Sequence, residues 1–130
     1  MPEPAALRRL RLAARICGAY LQVRRELRRR PLPELVTAAP IGSRPRQDPR
    51  RLGQAVSRLL KVGGETHMRC IHRALVLHRL LAAQGDRATV VIGLAGDAGS
   101  ERTHAWVELD GRDLGPAPGR SGHVPMAHYS

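Results

Sequence analysis

The chain has 130 residues, enough for one modest core with a flanking arm. Its hydrophobic fraction of 42% suits a globular protein, and with no Phe, one Trp and two Tyr the core must be built from Leu, Val, Ile and Ala. Lys plus Arg total 22 against 11 acids, a formal net charge of +11, and every one of those cations except Lys61 is Arg. No apolar run approaches the roughly 18 residues needed to span a bilayer. Arg breaks each apolar run of the N-terminus, so no secretory signal peptide is expected. Two Cys without an export signal point to a reducing, cytoplasmic setting and not to a disulfide scaffold. The charge is uneven: residues 1–30 hold nine Arg against Glu3 and Glu26, whereas residues 90–130 hold three Arg against five acids. An anionic partner such as nucleic acid, an acidic peptide or a membrane surface would account for this. So would the Arg usage of a GC-rich genome.

The first predicted element is an amphipathic helix over residues 5–30. Leu12, Ile16, Tyr20, Val23 and Leu27 recur at steps of three and four, which places them on one face. Pro31 and Pro33 are expected to end it, and the Pro-rich stretch 31–49 reads as a linker or wrapping loop. A second helix is predicted from Pro49 to Val62, with Asp48 as N-cap, Leu52, Val56, Leu59 and Leu60 on the buried face, and Gly63-Gly64 as the stop. A third follows from Met68 to Gln84, with Ile71, Ala74, Leu75, Leu77, Leu80 and Leu81 as its apolar stripe and Gly85 at its end. The period then changes. Ala88 to Gly93 is β-branched and short, a strand; 96–100 is a loop; Thr103 to Leu109 alternates as a second strand. Asp110-Gly111 signals a hairpin turn, with a return strand from Arg112 to Gly115 cut short by Pro116 and Pro118. The tail to Ser130 shows little pattern. Helices followed by a small antiparallel sheet make an α+β layout.

Two residue types in this layout bear on chemistry. Cys70 stands near the start of the third helix, where unpaired N–H groups and the helix dipole favour a thiolate. Arg69 and Arg73 would add to that field. Position alone leaves Cys70 open between a nucleophile and a small buried hydrophobe, while Cys17, between Ile16 and Tyr20, is read as packing. His104 shares a strand face with Trp106 and Glu108, and is either a core residue or a general base. A Cys at a helix start and a His on an adjacent strand are the parts of an activated thiol pair. Trp106 is read mainly as packing. His67, Cys70 and His72 lie close in sequence, but the spacing sends His72 away from Cys70, and no HExxH, paired CxxC or phosphate loop is present. No metal and no cofactor are expected.

Together these segments resemble the transglutaminase-like cysteine hydrolase core. That core has a Cys at a helix start with Ala four residues on, then a Gly-x-x-Ala turn into a valine-rich strand ending in Gly, then a His-Ala-Trp strand. The pieces here are Cys70 and Ala74, Gly85 and Ala88 in GDRATVVIG, and His104-Ala105-Trp106. More narrowly, CIHRALVLHRLLAAQG and HAWVELDG are similar to the C-terminal domain of McjB-type lasso-peptide leader peptidases. The match covers about residues 48–115, and its specificity lies in the order and spacing of the two motifs. The resemblance implies a transglutaminase-like (papain-like) core over 48–130, preceded by a basic helix and Pro-rich linker over 1–47. It implies a cysteine peptidase that removes the leader from a ribosomally synthesised lasso precursor, with Cys70 as nucleophile and His104 as base. The implied partners are the precursor's leader region, a leader-binding recognition protein and the ATP-dependent lasso cyclase. The basic N-terminal helix allows peripheral membrane contact.

The resemblance also places an acid about twelve residues past the His, and here that position is Pro116. A two-residue turn at Asp110-Gly111 would pair Glu108 with Asp113 and set His104 opposite Ala117. Asp113 then shares the face of His104 but lies four residues along, about 13 Å away at roughly 3.3 Å per residue. Asp113 is the nominal third member; a backbone carbonyl, a Cys–His dyad and an inactive enzyme are the alternatives. The resemblance also allows a transglutaminase-like acyltransferase or a catalytically degenerate scaffold of the maturation complex, and the charge alone allows a basic nucleic-acid-binding module. For the last, helix-turn-helix and zinc-finger signatures are lacking and aromatics for base stacking are scarce, so no nucleic acid is expected.

Overall fold

The computed structural model describes residues 4–60, 67–95, 103–115 and 123–130. Four helices, α1 (Ala5–Leu27), α2 (Leu32–Ala38), α3 (Pro49–Leu59) and α4 (His67–Ala83), precede four strands, β1 (Thr89–Ala95), β2 (Thr103–Leu109), β3 (Arg112–Asp113) and β4 (His123–Tyr129). The strands form one antiparallel sheet in the order β3-β2-β1-β4.

The centre of the molecule is α4. Helices α1, α2 and α3 and strands β1 and β2 all pack against it. It is therefore buried nearly all round: Ala74, Leu75, Val76, Leu77, Leu80, Leu81 and Ala82 are inaccessible. Val76, outside the predicted stripe, is 0% exposed for the same reason. Each fully buried Leu or Val removes enough apolar surface to contribute roughly 1.5–3 kcal/mol of transfer free energy. From α1, Ile16, Ala19 and Val23 enter this core, and Glu26 forms an ion pair with Arg79 of α4. In α3 the Asp48 carboxylate accepts from the Arg50 N–H at 3.1 Å, capping the helix as expected. Leu52 and Val56 are buried, but Leu59, expected on the buried face, is 36% exposed because α3 ends there.

Two elements correct the sequence reading. The stretch read as linker or loop contains α2. Pro33 occupies the first turn, where a missing N–H removes no helical bond, and Glu34 in that turn complements the dipole. Leu35 and Val36 supply its buried side. The rest of the stretch does wrap. Gly42 and Arg44 donate to the carbonyls of Ala82 and Ala83 at 2.8 and 3.1 Å, and the Gln84 side chain bonds both the N–H and the C=O of Gln47. A Cβ at residue 42 would lie 2.4 Å from the Ala83 oxygen, so only Gly allows this approach. Gly85, at φ +91°, turns the chain out of α4, with its N–H on Ala82 and that of Asp86 on Leu81.

The second correction is β4, in the tail expected to lack pattern. It is an edge strand, where Pro125 is tolerated because half the backbone N–H groups face away from the sheet. Exposed Val124, Met126 and His128 alternate with half-buried Pro125, Ala127 and Tyr129, and a register shift at Ile92/Gly93 admits one extra residue. The expected loop at 96–100 and residues 116–122 lie outside the described residues.

Candidate active site

Cys70 is the fourth residue of α4, at the close of its first turn, where the helix dipole is positive. Its side chain is 3% exposed. Strand β2 carries His104 to it: the Cys70 sulfur lies 3.5 Å from His104 Nδ1, hydrogen-bond distance for sulfur. The structure thus brings together the two residues expected to form a thiol pair. The imidazole turns Nδ1 to the sulfur, which leaves Nε2 as the nitrogen that an orienting group would meet.

The wall of the site is also fixed by β2. Ala105, Trp106 and Val107 are all buried, so the middle of the strand is covered on both faces. Trp106 sits opposite Val91, on the face of His104. Its ring edge fills the space left by Gly93, where an added Cβ would come within 2.6 Å of the ring. From the other side, Arg73 lies one turn beyond Cys70 on α4, and its Nη2 donates to the Cys70 sulfur at 3.6 Å. Arg73 was expected only to strengthen the field; it is a buried, direct contact of the sulfur. The side chain of Arg69 lies outside the described ones. His72 is half-buried and meets Tyr20 of α1 edge-to-face, with ring centroids 5.7 Å apart.

Asp113 stands elsewhere on the hairpin. The turn forms as expected, with positive φ at Asp110 and Gly111, and the register pairs Glu108 with Asp113 and Leu109 with Arg112. Asp113 therefore stands opposite Glu108, four residues along β2 from His104, and its carboxylate accepts from the Gly115 N–H at 2.8 Å. Beyond it, Val107 accepts from Leu114 and donates to Gly115, both at 2.8 Å, so two residues oppose one. That bulge, with Gly115 at φ +89°, shortens the return strand to Arg112–Asp113 and turns the chain away from a plain hairpin course. Pro116, and Ala117 expected opposite His104, lie outside the described residues.

The model of the transglutaminase-like superfamily matches residues 5–125. The chain belongs to the transglutaminase-like superfamily. The match spans α1 as well as the helix and strands that carry Cys70 and His104. The superfamily is typically cysteine-protease-like and includes cysteine peptidases and acyltransferases. A comparison with curated proteins and with solved structures finds no match. Among the described residues, no group of three His, Cys, Asp or Glu side chains is arranged to hold a metal, and no helix is long and apolar enough to cross a membrane.

One titratable residue of α4 was not singled out from the sequence. His78 is 6% exposed, two turns along the helix from Cys70. Burial pulls its pKa below the ordinary value; a hydrogen bond with the Ala88 backbone opposes this, and the charge of Arg79 adds to it. The folded state thus holds His78 neutral where the unfolded chain, titrating near pH ~6.5, already binds a proton. Its contribution to stability is complete above that pH and declines as the pH falls towards the folded-state value. Thermal melts from pH 7.5 to 5 should show the wild type losing stability more steeply than His78→Gln, which keeps a donor for Ala88 without the charge. Equal slopes would mean that His78 does not set the acid limb.

Proposed function

We propose that the protein is a cysteine peptidase that removes the leader from a ribosomally synthesised lasso-peptide precursor in the cytoplasm. The observation that carries the peptidase reading is the Cys70 sulfur at 3.5 Å from His104 Nδ1, at a helix start, in a transglutaminase-like chain. The substrate reading rests on the resemblance of CIHRALVLHRLLAAQG and HAWVELDG to the leader peptidases. The exposed Arg8, Arg9, Arg11, Arg24 and Arg25 on α1 suit an acidic leader or a leader-binding partner protein. The freed core then passes to a separate ATP-using cyclase.

In this mechanism His104 takes the thiol proton and the Cys70 sulfur attacks the carbonyl carbon at the leader–core junction. Backbone N–H groups at the start of α4 are the candidates for stabilising the oxyanion. Collapse of the tetrahedral species breaks the C–N bond, and His104 delivers its proton to the leaving amine. His104 then deprotonates a water that cleaves the thioester and restores the thiol. These steps need only the Cys–His pair, and the register sets Asp113, the nominal third member, opposite Glu108.

The test is mass spectrometry of the full chain incubated with a lasso-precursor peptide and a leader-binding partner protein. A leader-sized fragment with a free carboxylate and a core with a free amine are expected. A product carrying an added amine in place of the carboxylate would assign acyl transfer instead. Intact precursor together with an unreactive Cys70 would overturn the peptidase reading in favour of a scaffold.

A further inference from the structure

Arginine is almost never fully buried unless its charge is paired. Arg73 is 7% exposed, and among the described residues no carboxylate pairs with it. Its Nε is buried and makes no hydrogen bond among the described residues. The group it does reach is the Cys70 sulfur, 3.6 Å from Nη2. A neutral thiol is a weak acceptor and a poor counterpart for a buried guanidinium, whereas a thiolate is an anion. We propose that Arg73 is a positioning residue for the nucleophile: its guanidinium is the standing counterion of the Cys70 thiolate. The inference rests on the reading of Cys70 as the nucleophile.

The arrangement gives the sulfur a cationic partner that does not depend on the imidazole. In a triad, a carboxylate behind the imidazole keeps it cationic opposite the thiolate. A guanidinium stays protonated at every working pH, whatever stands behind the histidine. With Arg73 in place, the sulfur has a cationic partner both as the attacking thiolate and as the thiolate expelled when water cleaves the thioester. The i, i+3 spacing on one helix holds the guanidinium and the sulfur on the same face without help from any loop.

The charge of a probe tests this directly. In a Cys17→Ser background, so that only Cys70 reports, alkylation at pH 7 is followed with neutral iodoacetamide and with anionic iodoacetate. Arg73→Gln is expected to slow iodoacetamide about tenfold or more, through loss of thiolate. It should slow iodoacetate further still, because the guanidinium also attracts the anionic reagent. Arg73→Lys should restore the iodoacetate-to-iodoacetamide ratio, which a role in packing alone would leave unmoved. If folded Arg73→Gln labels at the wild-type rate with an unchanged ratio, Arg73 is structural and the inference fails while the nucleophile reading stands. If Arg73→Gln does not fold, the wild-type ratio decides: a value no higher than that of free cysteine overturns the inference. A wild-type Cys70 that neither reagent labels overturns the nucleophile reading itself, and this inference with it.

Discussion

Replacing Cys70 with Ala is expected to end leader cleavage while leaving the protein folded. In the proposed mechanism the sulfur is the atom that bonds to the scissile carbonyl, so its removal deletes the pathway. By analogy with other nucleophile deletions, the loss is on the order of 10⁴-fold or more in kcat. His104→Ala should cost a comparable amount, because the sulfur then loses the acceptor 3.5 Å away that takes its proton. The fold should persist: a buried Cys→Ala change removes one sulfur atom and costs on the order of 1 kcal/mol, a shift of a few degrees in Tm. Cys17→Ala is the control. That thiol is exposed on α1, and its loss should leave the rate unchanged. Single-turnover cleavage with the three variants, beside circular-dichroism melts, provides the check. Retained cleavage in a folded Cys70→Ala or His104→Ala protein would end the thiol mechanism.

Trp106→Ala should produce the largest loss of stability of any single side-chain truncation. Trp106 is fully buried in β2 and heads the largest inaccessible side chains of the chain. Its neighbours cannot close the gap, because Gly93 offers no side chain and Val91, opposite, is held by the ladder. Truncating a buried Trp to Ala costs roughly 3–5 kcal/mol, against a total of about 5–15 kcal/mol for a domain. A fall in Tm of roughly 10–20 °C is the expected reading at this chain length. Activity should fall with it even below the melting point, since Trp106 lies two residues from His104 on the same face of the strand and braces its position. Trp106→Phe should recover part of both. A Trp106→Ala protein that melts within two or three degrees of wild type would show that the site collapses around the gap and that the packing account is wrong.

The parts of this fold that follow from the sequence are those with an unambiguous period. The apolar steps of α1, α3 and α4, the alternation of β2 and the Asp-Gly turn each have one low-energy reading. The parts that do not follow depend on tertiary context. Pro33 breaks a helix interior but not a first turn, so α2 emerges only once Leu35 and Val36 have a core to enter. Pro125 argues against a strand in general but not at an edge, and nothing in residues 123–129 announces that β1 has an open side. The bulge at Leu114-Gly115 is similar, since a glycine is its only local mark. At the candidate site, Cys70 and His104 are legible because two motifs with fixed order carry them. Arg73 is legible as a nearby charge, but its burial is not, because burial depends on how the sheet and the other helices close around α4.

The strap over the end of α4 bears on how the chain reaches this state. The backbone N–H of Gln47 and the side chain of Gln84 that receives it are 37 residues apart in the chain. Gly42 and Arg44 reach Ala82 and Ala83 across a similar span. Bonds of that kind return nothing until the intervening loop has closed, whereas α4 and the β2–β3 hairpin draw on contacts a few residues away. The strap is therefore expected to form late in collapse, along with other long-range pairings such as β1 with β4. Amide exchange at Gly42 and Arg44 then serves as a clock on the finished molecule, recording how often a late-formed contact comes undone.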